Sequence, residues 1–370
     1  MQRRIVASLL ALPLFLLASP SASAQTTTSS NAQLALQWLQ CTQQQANGQI
    51  GSGGNPIARS SEVAVGLAAA GQQASAMHTG ATSLAGYLTT AVSTDVGTNG
   101  ELLLARASVA DAGPVATVSA QLQAAKGTNG EYGSDIYSDA LAILGLRAAG
   151  QTVGDDAVAF LKSQQKASGG WSADNADQYG EDSNTSALAI QALIGAGVAA
   201  DDPTITKAFT YLQSVFASGG FGSSPGSPPD PNSDELAIQA ILSAHLESDA
   251  GWATKLDQAQ SYLAGQQIAS GADAGAIANA YSKLFATTDA PAAFLRRPLT
   301  ARGLSESAVS LLACPAAASA SPTPHPTPTI APVLAQTGAP LDGRPLLGGF
   351  ALIALAMGFV LRPRRHTRSS

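Results

Sequence analysis

The segment 160–171 reads Phe-Leu-Lys-Ser-Gln-Gln-Lys-Ala-Ser-Gly-Gly-Trp, and the segment 211–221 repeats its pattern as Tyr-Leu-Gln-Ser-Val-Phe-Ala-Ser-Gly-Gly-Phe. Two further copies and two degenerate ones begin at Trp38, Tyr262, Tyr87 and Leu122. The leucine of the pattern recurs roughly every 35 to 50 residues, which is the length of one helical hairpin with its loops. Its six positions are Leu39, Leu88, Leu122, Leu161, Leu212 and Leu263. This period predicts a repeat protein of six helical hairpins.

Each copy is followed by a run of small apolar residues, such as Ser-Asp-Ala-Leu-Ala-Ile-Leu-Gly-Leu at 138–146. A helix that is apolar nearly all round is buried, whereas the helix that ends in the aromatic–Leu pair is amphipathic and faces water. The Gly-Gly turns the chain between the two helices, and Ser, Asp or Asn begins the second one. Such inner helices are predicted at 61–70, 138–149, 183–196 and 233–244.

The hairpins can bury both faces of their helices only by packing side by side. An open solenoid satisfies this requirement. Six units with polar outer helices and small-residue inner helices also close naturally into a double-walled ring. We therefore predict an all-α chain whose residues 25–314 form an (α/α)6 toroid of six hairpins.

The pattern aromatic–Leu, Gln-Gln, Gly-Gly–aromatic resembles the repeats of squalene/terpene cyclases and protein prenyltransferases over roughly residues 31 to 313. This resemblance implies the same toroid. The stretch 181–189, Glu-Asp-Ser-Asn-Thr-Ser-Ala-Leu-Ala, is similar to the intrinsic factor/transcobalamin branch, which implies a carrier of a corrinoid-like small molecule. One fold of this kind hosts enzymes and carriers alike, so the resemblance does not choose an activity.

The two ends of the chain resemble export and anchoring signals. Residues 1–24 combine a basic start, an apolar run and a small-residue exit, which predicts a signal peptide cleaved near Ala24. At the other end, an apolar segment at 346–361 and a basic tail follow a pentapeptide similar to the cell-wall sorting signal of Gram-positive surface proteins. That pentapeptide is Leu334, Ala335, Gln336, Thr337 and Gly338. The resemblance implies that a sortase cleaves the Thr337–Gly338 bond and joins the protein to peptidoglycan; a plain membrane anchor is the alternative.

A segment rich in Pro, Ala, Ser and Thr at 315–333 separates the toroid from the sorting signal at 334–370. Such a composition cannot bury a core, and its prolines favour extended polyproline II structure. We therefore predict a stalk that lifts the toroid away from the cell wall. The protein is expected on the cell surface or cell wall.

Charge and cysteine content restrict the partners and the compartment. Seven of the 19 Lys and Arg residues and one of the 25 Asp and Glu residues lie outside 25–334, so this exposed part carries a net charge of −12. An acidic body disfavours nucleic acid as a partner. The two cysteines, Cys41 and Cys314, are predicted to form a disulfide because an exported chain meets an oxidising environment; two free buried thiols are the alternative.

The sequence lacks the catalytic groups of the enzymes that share this fold. Class II triterpene cyclases use an Asp-x-Asp-Asp acid, and the nearest patterns, at 155–156 and 201–202, each precede an outer helix, where they stabilise the helix N-terminus. Prenyltransferases use an Asp, Cys and His zinc site, for which the only histidines of the body are His78 and His245. We predict no catalytic residue, no metal and no cofactor.

Acidic and hydroxyl side chains recur at the starts of the predicted inner helices. Parallel inner helices bring these starts to one mouth of the toroid, where carboxylates and aromatic rings in the adjacent turns can surround a ligand. The alternative for each is helix capping, dipole pairing or core packing. The predicted binding residues are Glu62, Asp139, Asp182, Thr185, Asp234, Glu235, Trp171, Tyr179 and Phe221. The loop 174–182 also carries alternating oxygen ligands that suit Ca²⁺, although a solvated acidic loop explains it as well.

Three functions remain open from the sequence. The first is a surface protein whose toroid binds a small molecule, corrinoid-like or isoprenoid, without catalysis. The second is an extracellular enzyme that acts on glycans or isoprenoids through paired carboxylates at the toroid mouth, which requires two facing carboxyl groups. The third is an adhesive or spacing protein. The missing acid and zinc motifs favour the first and third over the second.

Overall fold

The computed structural model describes residues 22–175 and 178–315, and their fold is helical. Thirteen α-helices lie in these residues. The outer helices are α1 (Ala22–Trp38), α3 (Leu84–Thr90), α5 (Ala116–Ala125), α7 (Asp155–Ser163), α9 (Pro203–Ser214) and α11 (Ala250–Gly265). The inner helices are α2 (Pro56–Ala69), α4 (Val96–Ser108), α6 (Ile136–Ala148), α8 (Ser183–Gly195), α10 (Pro231–Ser243) and the short pair α12 (Lys283–Thr288) and α13 (Ala290–Phe294).

The inner helices close into a ring. Each of α2, α4, α6, α8 and α10 contacts the next one, and α13 contacts both α10 and α2. The first outer helix, α1, packs against α13 as well as α2, which seals the ring on the outside. At this junction Gly275 lies so close to the carbonyl of Leu34 that no Cβ atom would fit. The predicted (α/α)6 toroid is confirmed, and the open solenoid is wrong.

The leucines that define the repeat anchor the outer helices to the inner ones. All six are at most 1% exposed. Small inner residues let the inner helices approach closely; in α4 and α6, a Cβ at Gly100 or Gly145 would collide with the backbone of the other helix. The dipeptides at 155–156 and 201–202 flank outer-helix N-termini as predicted, since α7 begins at Asp155 and Asp202 accepts the Thr204 N–H at 2.9 Å.

Short strands that the sequence did not predict lie in the turns between outer and inner helices. In the described residues β1 (Trp171–Ser172) pairs antiparallel with β2 (Glu181–Asp182), with Trp171 opposite Asp182. Likewise, β3 (Phe216–Ala217) pairs with β4 (Gly220–Phe221). Each strand is two residues long, so the pairs shape the turns and leave the helical architecture unchanged.

One hydrogen bond recurs in five hairpins and fixes how each turn meets its inner helix. A buried residue after the outer helix donates its backbone N–H to a side-chain oxygen of the following inner helix. These bonds join Ile50 to Ser60 (2.9 Å), Tyr132 to Asp139 (2.7 Å), Trp171 to Ser186 (2.9 Å), Phe221 to Asp234 (2.9 Å) and Ile277 to Thr287 (2.9 Å). We call the accepting residues the turn acceptors; they are Ser60, Asp139, Ser186, Asp234 and Thr287.

A C-terminal strap, residues 295–314, crosses the C-terminal ends of the inner helices. The Leu299 N–H donates to the side chain of Gln191 in α8 at 3.2 Å, and the Ser305 and Val309 N–H groups donate at 2.8 Å to carbonyls at the end of α2. The strap therefore closes one end of the ring. The opposite end, where the inner helices begin, is the mouth.

The strap ends in the predicted disulfide, which is confirmed. Cys314 is bonded to Cys41 in the π-helical turn that continues α1, with the two Cα atoms 5.4 Å apart. The bond spans 273 residues, so it constrains the unfolded chain strongly; the chain-entropy model gives about 5 kcal/mol as an upper limit. It ties the strap to the first hairpin.

The predicted sorting signal, nearly all of the stalk and most of the signal peptide lie outside the described residues. The apolar segment 346–361 is among them. Within 22–175 and 178–315 no helix has both the length and the apolar character needed to cross a membrane.

Candidate functional site

A cavity with an empty volume of about 360 Å³ lies inside the ring, and water-sized molecules can occupy only a small part of it. Six of its lining residues, one from each hairpin, form what we call the central ring. They are Glu62, Glu101, Leu141, Leu188, Leu236 and Asp289. In the five hairpins that have a turn acceptor, the central-ring residue is the second residue after it. The repeat therefore presents one side chain per unit to the cavity.

One half of the central ring is apolar. Leu141, Leu188 and Leu236 come from the consecutive helices α6, α8 and α10, and each is at most 6% exposed. Val65 and Leu104 also line the cavity about one helical turn nearer the strap, and the strap adds Leu299. These leucines and the floor present hydrocarbon to the cavity, and Tyr137 on α6 adds a phenol about one turn nearer the mouth.

The other half of the central ring is acidic, with Glu62 on α2, Glu101 on α4 and Asp289 just before α13. A buried cation, Arg59, accompanies them: its Nη1 lies 2.5 Å from Glu62 Oε2. The Thr288 hydroxyl donates to the same carboxylate oxygen at 2.5 Å. One oxygen of Glu62 thus accepts from two donors, and this carboxylate holds Arg59 in place.

The Arg59 guanidinium also rests on an aromatic ring. Its central carbon lies 4.1 Å from the centroid of Phe285, which is a cation–π distance. Burial by itself lowers the pKa of Arg59, but the nearby charges of Glu62, Glu101 and Asp289 outweigh burial and raise this pKa. The guanidinium is therefore permanently charged.

The acidic half holds more carboxyl groups than it has cations. Burial raises the pKa of Glu101 to about 7 and that of Asp289 to about 6, although the charge of Arg59 acts in the opposite direction on both. Burial also raises the pKa of Glu62 well above its ordinary value. Near neutral pH these groups share protons, because one guanidinium cannot neutralise three carboxylates.

Glu235 is a fourth acidic residue near this half of the cavity. It is fully buried beside Leu236, and neither carboxyl oxygen has a hydrogen-bond partner in the described residues. Burial raises its pKa well above the ordinary value, and the charges of Asp289 and Asp234 raise it further. Because an unpaired buried charge is costly, this environment favours the protonated form of Glu235.

The structure distributes the predicted carboxylates over three environments. Glu62 lies in the cavity, and Glu235 is buried near it. Asp139 and Asp234 are turn acceptors. Asp182 caps α8 by accepting the Thr185 N–H and hydroxyl, each at 2.8 Å, and Thr185 is fully buried. The expected convergence of these side chains on one open mouth does not occur.

Of the three predicted aromatic residues, two are buried and one is exposed. Trp171 and Phe221 are fully buried, so their expected place on a ligand-binding surface is corrected. The Trp171 indole donates to the Leu161 carbonyl at 2.8 Å, and the Phe221 ring meets that of Phe216 edge-on at 4.8 Å. Both rings pack the core beneath the turns. Tyr179 is 62% exposed in the loop before α8, on the side of the mouth.

Internal hydrogen bonds use the described oxygens of the acidic loop 174–182. Asp174 accepts the Gln178 N–H at 3.0 and 3.1 Å and the Ser172 hydroxyl at 2.8 Å. Asp182 is the cap of α8 already described. Residues 176–177 lie outside the described part of the chain. In the rest, no three His, Cys, Asp or Glu side chains are placed to hold a metal ion.

Sequence reasoning missed Arg59, Glu101, Tyr137 and Asp289 of the cavity. Glu101 lies on α4, whose Val-Gly-Thr-Asn-Gly start differs from the other inner helices. A usable signal existed, since counting two residues on from Ser60, Asp139, Ser186, Asp234 and Thr287 gives five of the six central-ring positions. The polar members then stand out, because inner helices otherwise carry small apolar residues.

Comparison with known proteins identifies the fold. No family model and no curated protein sequence matches the chain. Among solved structures, the type II terpene cyclase MstE from Scytonema without ligand has a TM-score of 0.54 at 15% identity, over 73% of this chain and 98% of that chain. A variant of MstE in complex with its substrate, geranylgeranyl dihydroxybenzoate, has a TM-score of 0.54 at 14% identity, over 75% of this chain and 98% of that chain. A variant in complex with the product, merosterolic acid A, has a TM-score of 0.52 at 14% identity, over 75% of this chain and 99% of that chain.

These likenesses confirm the predicted terpene-cyclase-like toroid. The aligned region spans nearly the whole length of MstE, so the two proteins share the complete ring of hairpins. At identities this low the likeness concerns the fold alone. The function of this chain has to be argued from its own cavity.

Proposed function

We propose that this chain is a cell-surface protein whose toroid binds a small molecule in its central cavity without catalysis. The observation that carries the proposal is the division of the central ring into an apolar half and an acidic half. Ligand pockets combine a mainly apolar lining with a few polar groups that fix the orientation of the ligand. Here the polar groups come from three hairpins and the apolar groups from the other three.

The size of the cavity limits the ligand to a small molecule. Water-sized molecules can occupy only a small part of its empty volume, so the closed cavity is narrower than the ligand pockets of roughly 300–1,000 Å³, and even a small ligand requires the inner helices to move apart slightly. A corrinoid or a long isoprenoid chain would require the inner helices to separate. The strap that supplies Leu299 to the floor also closes the ring at that end, so the ligand enters from the mouth.

Unsatisfied polar groups also support a ligand. Ser61 lines the cavity next to Glu62, is fully buried, and its hydroxyl has no hydrogen-bond partner in the described residues. Buried polar groups are normally hydrogen-bonded, because an unpaired one costs about 1–3 kcal/mol. A ligand that bonds to this hydroxyl removes the cost.

A cavity-filling substitution tests this proposal. Small amphiphiles are screened against the secreted chain by ligand-observed NMR, and each hit is repeated with Leu188→Trp, which fills the cavity from its apolar half. The control is Leu34→Trp on the outer helix α1, where the side chain is 38% exposed. We expect Leu188→Trp to abolish binding and Leu34→Trp to preserve it. A hit that binds both variants equally lies elsewhere and contradicts the proposal.

A second candidate is acid-catalysed chemistry on a short isoprenoid. Its support is the buried carboxyl groups, with raised pKa values, that face a leucine wall in a fold shared with type II terpene cyclases. In such a reaction the carboxyl proton adds to one alkene carbon, and loss of a proton from a neighbouring carbon to the carboxylate restores both the acid and a double bond. Gas chromatography of short isoprenoids incubated with the protein would detect the isomer. Turnover that Glu101→Gln abolishes would favour the enzyme over the carrier.

The glycan-cleaving alternative receives less support. Such enzymes place two carboxyl groups across a cleft that admits a sugar. At the mouth, Asp182 is occupied as a helix cap, and Asp139 and Asp234 bind buried backbone N–H groups. The carboxyl groups that remain lie inside a cavity too narrow for an oligosaccharide.

Display on the cell wall is the other part of the proposal. It rests on the signal-like residues 1–24, the stalk at 315–333 and the sorting sequence from Leu334 to Gly338. The partners are then a sortase and peptidoglycan. Mass spectrometry of wall-released peptides tests this part: we expect the C-terminal peptide to end at Thr337 and to carry a cell-wall amine. A C-terminal peptide that extends past Gly338 would contradict it.

A further inference from the structure

In the described residues, the acidic half of the central ring has more carboxyl groups than cations. Arg59 and Thr288 both point their donors at Glu62. By contrast, the side chains of Glu101 and Asp289 make no hydrogen bond to any other described residue, although Glu101 is only 8% exposed. The Ser61 hydroxyl, also a potential acceptor, is unpaired beside them. A ligand that completes this wall must bring hydrogen-bond donors and positive charge.

We propose that the ligand is a small organic ammonium ion. The –NH₃⁺ group is held by Glu101, Asp289 and Ser61, and the alkyl part lies against Leu141, Leu188 and Leu236, which move apart to admit it because the closed cavity is narrow. This inference rests on the proposed function, since it takes the central cavity as the ligand site. An ammonium group has three donors and no acceptor, which matches three acceptors without donors.

The lining favours a primary ammonium over other cations and over anions. Quaternary ammonium ligands are recognised by cages of several aromatic rings, whereas the described lining of this cavity has leucines opposite the carboxyl groups and a single aromatic residue, Tyr137. The described carboxylates are not arranged as a metal site. An anion would be repelled by Glu62, Glu101 and Asp289, and the guanidinium of Arg59, the one described cation beside them, is already paired with Glu62 through Nη1.

The same geometry gives the binding a definite pH dependence. The ammonium ion binds the ionised form of Glu101 and Asp289, and alkylammonium ions keep their proton up to about pH 10, as lysine does. Acidification from pH 8 to pH 5 therefore protonates the receptor and not the ligand. Affinity for an ammonium ion must fall over this range, while affinity for a neutral molecule of the same shape must not.

The experiment compares hexylammonium with 1-hexanol, which have the same chain and differ in the charged head. Isothermal titration with the full secreted chain is done at pH 8 and pH 5 at constant ionic strength. We expect hexylammonium to bind at least about tenfold more tightly than hexanol at pH 8, a difference of about 1.4 kcal/mol. At pH 5 we expect this advantage to shrink severalfold. Because it uses the unaltered chain, the comparison does not depend on a variant folding.

Substitutions then locate the head group. Glu101→Gln keeps the shape of the side chain and removes its charge, so hexylammonium should lose about tenfold in affinity at pH 8 while hexanol is unaffected. The matched control is Glu306→Gln on the exposed strap, which should change neither.

The possible failures have different meanings. Equal affinity for hexanol and hexylammonium, both abolished by Leu188→Trp, would keep the cavity as the ligand site and overturn the ammonium assignment. Binding of neither compound, together with no cavity-dependent hit in the wider screen, would overturn the proposed function as well. A hexylammonium affinity that is the same at pH 5 and pH 8 would overturn the roles of Glu101 and Asp289.

Discussion

The molecule contains two sets of buried carboxyl groups, and only one of them faces a cavity. Asp139 and Asp234 occupy turn-acceptor positions, where the equivalent residues of other hairpins are Ser60, Ser186 and Thr287. A hydroxyl serves there equally well, so these two carboxyl groups have a structural task. The second set, Glu62, Glu101 and Asp289, occupies central-ring positions, where the equivalent residues are leucines.

Perturbed pKa values do not separate the two sets. Burial raises the pKa of Asp139 to about 7, the same value as that of Glu101 in the cavity. Strongly shifted acids are often taken as signs of a functional site. In this toroid the internal repeat is the better guide, because it shows that a hydroxyl replaces Asp139 whereas a hydrocarbon replaces Glu101. The following predictions test that distinction.

The largest expected effect is the pH dependence of stability, to which both sets contribute. Raised acid pKa values mean that the folded chain keeps protons that the unfolded chain has lost above about pH 4. Stability is then highest near pH 4 and falls as the pH rises through the folded-state values of about 6 for Asp289 and about 7 for Glu101 and Asp139. We expect a fall of more than about 5 kcal/mol, since each of these three groups has a pKa raised by at least two units and one unit corresponds to about 1.4 kcal/mol. Urea unfolding between pH 4 and pH 8 measures it.

A flat or rising profile in this window would show that the buried acids are not protonated in the folded state. The two sets are resolved by variants. The double variant Asp139→Ser and Asp234→Ser should remove only the turn-acceptor part of the slope, and Glu62→Gln with Glu101→Gln should remove only the cavity part.

Loss of Arg59 comes next in size and concerns the cavity set alone. Arg59→Met removes the only described cation among Glu62, Glu101 and Asp289, and an unpaired buried charge costs about 3–5 kcal/mol. The cost should be greater at pH 8 than at pH 5, where the carboxyl groups take up protons. Urea unfolding at both pH values checks this, with the exposed Arg302→Met as control. An equal cost at both pH values would mean that Arg59 acts through packing rather than charge.

The sequence predicted the fold well because the repeated residues have strong preferences for particular turns and for buried or exposed helix positions. An aromatic–Leu pair, a turn that contains glycine and an Ala-rich helix recur in most units, and all six anchoring leucines are buried. It also predicted the Cys41–Cys314 disulfide. The short strands were missed because two-residue pairings follow from the geometry of the turns and have no hydrophobic period of their own.

The candidate site was predicted less well. Asp139, Asp182 and Asp234 were placed at the mouth because they begin inner helices, but a capping or turn-binding carboxylate has the same sequence appearance as a ligand-binding one. Glu101 was overlooked because the start of α4 departs from the repeat. Which face of an inner helix points toward the central cavity depends on how the helix packs against both neighbours. That orientation is fixed only when the ring closes.

Exchanging residues between equivalent turn-acceptor positions should change the free energy of unfolding by a smaller amount, in a direction that the structure predicts. The second carboxyl oxygen of Asp139 is buried and has no hydrogen-bond partner in the described residues. Asp139→Ser introduces the residue that occupies the equivalent position 186. We expect a gain of about 1–2 kcal/mol at pH 8 and none at pH 4, because the desolvation cost of the ionised acid disappears. The reciprocal Ser186→Asp should lose stability at pH 8. If Asp139→Ser destabilises at both pH values, the carboxyl group has a role that a hydroxyl cannot fill.

The smallest expected change in stability accompanies the sharpest difference in binding. Glu101→Gln preserves the shape of a central-ring residue, and the free energy of unfolding should change by less than about 1 kcal/mol at pH 5, where the folded chain keeps the proton of Glu101. Hexylammonium binding at pH 8 should nevertheless weaken about tenfold, whereas Asp139→Ser, with its larger effect on stability, should bind hexylammonium as the unaltered chain does. Titration of both variants alongside their urea unfolding curves makes the test. If affinity instead follows stability across the two variants, the acidic half of the ring is structural in the same sense as the turn acceptors, and the distinction between the two sets of carboxyl groups is lost.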